Sequence, residues 1–93
     1  MKLVWTPRFV RAVRRLTRRQ PALLEDLEST LRRLEHDPFD AALRTHKLKG
    51  ALRDCWACSV GFDCRLVFEI VKKPQTKENE ILLHTAGTHD EVY

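Results

Sequence analysis

The sequence predicts an α+β domain: an N-terminal strand and a helical hairpin packed on one face of a mostly antiparallel four-stranded sheet. Three observations predict it. Apolar residues recur at helical spacing from residue 7 to 37. They alternate at period two from 64 to 72. The period changes once along the chain, which segregates the helices from most of the strands. The 93 residues make a single domain, 1–93, with one core and no room for a second module.

Leu3-Val4-Trp5 reads as an opening strand. Thr6 follows as N-cap, with Pro7 at the first helical position, where its missing N–H costs nothing. At 100° per residue, Phe9, Val10, Ala12, Val13 and Leu16 fall within one arc; Arg8, Arg11, Arg14, Arg15, Arg18 and Arg19 fill the opposite one. Gln20-Pro21 breaks this helix. A second is predicted from Pro21 to about Asp37, with Leu23, Leu24, Leu27, Leu31 and Leu34 on one stripe and Pro38 stopping it.

Residues 39–51 carry no sustained period and read as a structured loop entering a strand. Residues 52–60 and 64–72 are strand-like and joined through Gly61-Phe62-Asp63, which predicts an antiparallel hairpin. In its second arm Cys64, Leu66, Phe68 and Ile70 share the core face, with Arg65, Val67 and Glu69 on the other. After a polar turn at 73–79, a last strand is expected over 80–86, ended by Gly87. Strict alternation there sends His84 and Thr85 to opposite faces. Trp5 and Trp56 are assigned to the core, and the face without helices is expected to be an open platform.

Composition narrows the function. With 43% hydrophobic and 32% charged residues the chain is too apolar for a disordered one, and no run suits a membrane span or a signal peptide, so a cytoplasmic protein is expected. The net charge is +4, and residues 1–19 hold seven Lys or Arg with no acid, an asymmetry suited to a polyanion. Three cysteines fit a reducing compartment and read as thiols. Cys55 and Cys58 have the spacing of a metal or redox pair, but a strand sends them to opposite faces, which favours a structural role over a metal or redox one; no metal or cofactor is expected. Phosphate-cradling glycine loops, zincin helices, elbow serines and calcium loops are all missing from the sequence.

Metal-free RNA cleavage needs a base for the ribose 2′-OH, an acid for the leaving 5′-oxygen and cations around the phosphate. His46 and His89 are the best acid/base candidates, since imidazole titrates near neutrality and both stand in polar, loop-like surroundings; His36 reads as a helix-end surface residue. Asp63 is either turn chemistry or a functional carboxylate. Lys47, Lys49 and Arg65 are either phosphate ligands or ordinary solvated cations. Tyr93 either packs an edge or stacks on a base, and Phe62 carries the same ambiguity.

Taken together, His46-Lys47-Leu48-Lys49-Gly50, then Arg65-Leu66-Val67-Phe68, then Gly87-Thr88-His89-Asp90-Glu91-Val92-Tyr93 resemble, in that order, the RelE/ParE toxin superfamily of type II toxin–antitoxin systems. The opening Trp5-Thr6-Pro7 step and the helix pair ending at Asp37-Pro38 extend the resemblance over nearly the whole chain. The histidines place it nearest the YafQ branch.

The resemblance implies a RelE-like fold and a metal-independent, ribosome-dependent endoribonuclease. Such an enzyme cuts mRNA in the ribosomal A site by 2′-OH attack, leaving a 2′,3′-cyclic phosphate and a 5′-OH. It implies catalytic roles for His46, Asp63, His89 and Tyr93, and phosphate binding by Lys47, Lys49 and Arg65. His46 or Asp63 would be the base and His89 the acid. Implied partners are a cognate antitoxin, mRNA and ribosomal RNA, with operator DNA reached only through the antitoxin and no membrane. Ser59 stands where YafQ-like enzymes carry another histidine, and Thr85 where they carry an arginine. Two further readings follow: a catalytically weak or inactive homologue that binds an antitoxin and co-regulates its operon, and a ParE-like gyrase inhibitor, against which His46 and His89 argue.

Overall fold

The computed structural model describes residues 1–92; Tyr93, a predicted site residue, lies outside them. The chain runs through β1 (Lys2–Trp5), α1 (Pro7–Arg19), α2 (Leu23–His36), β2 (His46–Lys47), β3 (Trp56–Val60), β4 (Cys64–Lys73), β5 (Glu78–Thr88) and a last turn of helix, α3 (His89–Val92). The described strands form one five-stranded sheet in the order β1-β5-β4-β3-β2. The extra strand relative to expectation is β2, two residues pairing antiparallel with Trp56 and Ala57 inside a stretch whose short, exposed pattern carries no strand signal. Every pairing is antiparallel except β1 with β5.

Local chemistry sets the first helix as predicted. Thr6 Oγ1 accepts from the Phe9 amide at 3.1 Å and donates to the Leu83 carbonyl at 2.7 Å, so one hydroxyl caps α1 and fastens its start to β5. α1 then lies along β5 while α2 lies along β3. Phe9, Leu16, Leu27 and Leu34 meet Cys58, Leu66, Phe68, Ile81 and Leu83 in the main core. Each of the largest of these side chains contributes roughly 1.5–3 kcal/mol by leaving water.

Several boundaries differ from expectation for physical reasons. α2 starts at Leu23, since Pro21 and Ala22 form a turn, and Leu24 falls off the buried stripe with 47% exposure. Trp5 is likewise no core residue, being 46% exposed on a short edge strand, where it meets Phe9 edge-on at 5.0 Å. Trp56 is half-buried under Phe39. β3 begins only at Trp56, as residues 50–54 coil into a tight turn. β5 runs past Gly87 to Thr88. Gly87 pairs with Arg65, and a Cβ there would stand 3.0 Å from Glu91 Cβ, so this glycine admits the returning α3.

Candidate functional site

The face away from α1 and α2 is partly roofed rather than open. Leu48, Cys55, Ala57 and Val67 form a second small cluster there, with Leu52 and Val92 packed on it. Residues 48–55 fold back over the sheet through Leu48 N–H to Cys55 O (3.1 Å) and Cys55 N–H to Leu52 O (2.8 Å). The expected platform overlooked this roof because Leu48 and Leu52 lie in a segment with no regular period. As anticipated, Cys55 and Cys58 part to opposite faces, and the three cysteines are free thiols.

Among the described residues, depressions of two sizes lie on this face. The larger, ≈ 530 Å³, is lined by Ala42, Arg44, Ser59, Gly61, Phe62, Asp63 and Arg65. The smaller, ≈ 310 Å³, is lined by Arg8, Ala51, Leu52, Asp54, Cys55, Val67, Glu69, His84, Thr85 and Val92.

Strand register places the predicted residues. Arg65 is flanked by Ser59 on β3 and Gly87 on β5, and Thr88, immediately before His89, pairs with Cys64. Arg65, Asp63 and the start of α3 therefore gather at the hairpin end of the sheet. Arg65 is half-buried, its Nη1 donating to the Cys64 carbonyl at 3.0 Å, which steadies the guanidinium against its own strand. Asp63 and His89 are exposed.

His46 pairs with Ala57 and so shares its face; its Nδ1 lies 3.3 Å from the Arg44 carbonyl. Standard strand spacings put its Cα roughly 12 Å from that of Arg65, two strands across and two residues along. Lys47 does not join them. It pairs with Trp56, and its Nζ sits 4.8 Å over the indole ring, on the face opposite Arg65. Lys49 is exposed beside Leu48.

Arg44 escaped the sequence reading as a site residue. Arg44 holds a left-handed backbone (φ 53°) and lines the larger depression. Phe62, at the hairpin tip, is 100% exposed. Gly61 makes that tip possible, since its backbone is left-handed (φ 60°), a conformation that favours glycine.

The face assigned to His84 is overturned. The register shifts between Val67 and Phe68, which pair with Thr85 and Leu83, so His84 is the extra residue of a β-bulge. It lines the same depression as Thr85, with Nε2 3.1 Å from Glu69 Oε1. A trace of this was in the sequence: the inward apolar phase runs Ile81, Leu83, Ala86, skipping one place.

Electrostatics separate the surfaces. Arg11, Arg14, Arg15, Arg18 and Arg19 line a shallow cationic depression on α1. Arg19 also reaches Glu91 Oε2 at 3.6 Å, while Glu91 Oε1 accepts from the Thr88 amide at 3.0 Å. The Thr88 hydrogen bond first, then Arg19 and Arg15, hold the Glu91 carboxyl below its ordinary range. Burial pushes the Cys58 thiol up to about 12. Burial, then Glu69 and Asp54, raises Cys55.

A helical hairpin packed on one side of a sheet in this strand order is the RelE-like fold. More narrowly, the sequence matches "Bacterial toxin of type II toxin-antitoxin system, YafQ" over residues 1–93, and the chain belongs to that family. Among solved structures, YafQ from E. coli strain BL21(DE3) superposes with a TM-score of 0.79 at 16% identity, over 99% of this chain and 97% of that one. The YoeB/ParE toxin from Agrobacterium tumefaciens gives 0.77 at 21% identity over 96% and 99%. The E. coli DinJ-YafQ complex gives 0.76 at 16% over 99% and 97%. No curated protein matches the sequence. Among the described residues, no helix is long and apolar enough to cross a membrane.

Proposed function

We propose that this toxin is a ribosome-dependent endoribonuclease of the cytoplasm that cleaves mRNA without a metal ion in the chemical step. The 2′-OH attacks the adjacent phosphate, giving a 2′,3′-cyclic phosphate and a 5′-OH. His46 or Asp63 takes the 2′-OH proton and His89 protonates the leaving oxygen. Arg65 and Lys49 hold the phosphate, with Lys47 adding charge from the far face. Tyr93 and the exposed Phe62 stack on bases, a contact worth about 1–3 kcal/mol each.

The observation that carries this reading is the half-buried Arg65, anchored at 3.0 Å to its own strand, between exposed Asp63 and the turn bearing His89. His46 meets the same phosphodiester from β2, two strands across. The cationic side of α1 suits ribosomal RNA or an acidic antitoxin, as DinJ partners YafQ in the E. coli complex; operator DNA is then met only through the antitoxin.

The test is to induce the protein without antitoxin and map transcript 5′ ends. Codon-registered cuts bearing 5′-OH, absent in His89→Ala, are expected. Growth arrest with equal toxicity in the variant sinks the assignment. A second reading, a catalytically weak homologue retained for antitoxin binding and operon control, draws on Ser59 beside Arg65 and on Thr85, where family enzymes carry histidine and arginine. It is supported if antitoxin binds and transcripts stay intact.

A further inference from the structure

The smaller depression holds a group that the nuclease reading leaves unused. Cys55, Glu69 and His84 each offer a ligand atom, and these atoms lie within 4.8 Å of one another, the one such trio among the described residues. They come from three places in the chain: the turn before β3, the middle of β4 and the bulge of β5. His84 follows the core residue Leu83 and so faces this side of the sheet, and the bulge turns Thr85 to the same side.

We propose that Cys55, Glu69 and His84 form a zinc-binding site that clamps the 48–55 roof to β5. The geometry is close to what a tetrahedral ion needs. Zinc bonds of about 2.0–2.1 Å to nitrogen and oxygen set those atoms roughly 3.3 Å apart, and His84 Nε2 and Glu69 Oε1 already stand 3.1 Å apart. A bond of about 2.3 Å to sulfur asks for a thiolate roughly 3.6 Å from the imidazole, so Cys55 has at most about 1 Å to move.

The donor set selects the ion: one thiolate, one imidazole and one carboxylate suit zinc and exclude magnesium and calcium, which take oxygen alone. On binding, the thiol proton goes to solvent, and the proton that His84 Nε2 shares with Glu69 moves to Nδ1 by exchange with solvent, leaving Nε2 free for the ion. Asp54 and Thr85 line the same depression, and a water would complete the fourth position.

This site is separate from the proposed nuclease residues. Glu69 lies four residues along β4 from Arg65, roughly 13 Å away, so the ion is a clamp and takes no part in phosphodiester chemistry.

The experiment titrates the purified full chain with cobalt(II) and with zinc. One equivalent of cobalt is expected to give a thiolate charge-transfer band and tetrahedral ligand-field bands, displaced by zinc. Zinc is expected to raise the melting temperature by roughly 5 °C. Both signals should vanish in Cys55→Ala and in His84→Ala and persist in Cys58→Ala, which removes a thiol from the opposite face. His84 is only half-buried, so its variant keeps the test open if Cys55→Ala does not fold. No thiolate band in the unaltered protein, or a band that survives either substitution, overturns the site. RNA cleavage is read separately and decides only the nuclease proposal.

Discussion

The two faces of the central sheet use the same strands for opposite ends. On the helix side, Phe9, Leu34, Leu66, Phe68, Ile81 and Leu83 are fully buried, and the thiol of Cys58 is pushed up to about 12 by the same dryness. On the other side only a thin cluster around Ala57 and Val67 is closed, and Arg65, Glu69 and His84 stay half-exposed between two depressions. The contrast teaches that one strand carries both jobs residue by residue. Leu66 and Phe68 hold the molecule together; Arg65 and Glu69, their neighbours, are left available for ligands.

The largest expected effect lies on the packed face. Phe68→Ala should lose about 3–5 kcal/mol of stability, most of what a domain of this size has, as read by urea unfolding. A loss below about 1 kcal/mol would break the comparison. Next comes the groove: Arg65→Ala should lower RNA cleavage by roughly 10²-fold while the unfolding midpoint barely moves. If the protein unfolds instead, Arg65 belongs to the structural half.

A smaller effect is expected at the hairpin tip. Phe62→Ala should weaken RNA binding by about tenfold, the lower range of a lost base stack, with no change in melting temperature, because the ring touches so little of its own protein.

The smallest effect tests the tether between the faces. Glu91 has a folded-state pKa below its ordinary value, so it stabilises the protein above that value, and the contribution is lost as pH falls through the folded pKa. Melting curves of Glu91→Gln and the parent should therefore differ at pH 7 and converge on acidification below pH 4.5. Added salt should shrink the part owed to Arg19, an exposed pair. Parallel curves across the acid range would show that Glu91 does not tether α3.

How much was legible follows from how each element is specified. The Thr6-Pro7 helix start and the inward run Cys64, Leu66, Phe68, Ile70 were readable because caps and periodicity act within a few residues. The same holds for the opposite facing of Cys55 and Cys58. Family resemblance supplied the candidate residues His46, Asp63, Arg65 and His89, and register brings Asp63, Arg65 and the start of α3 to one end of the sheet. The same register puts Lys47 on the far face over Trp56.

The sequence by itself determined the α+β class, the positions of α1 and α2 within two residues, the cationic side of α1 and the core side of β4. All of these depend on short-range spacing along one element. Only the tertiary structure decided the two-residue β2, the roof of residues 48–55 and the β-bulge that sets Thr85 on the same side as His84. Each depends on which distant strand lies alongside, a choice made when the whole core closes and invisible to any local period.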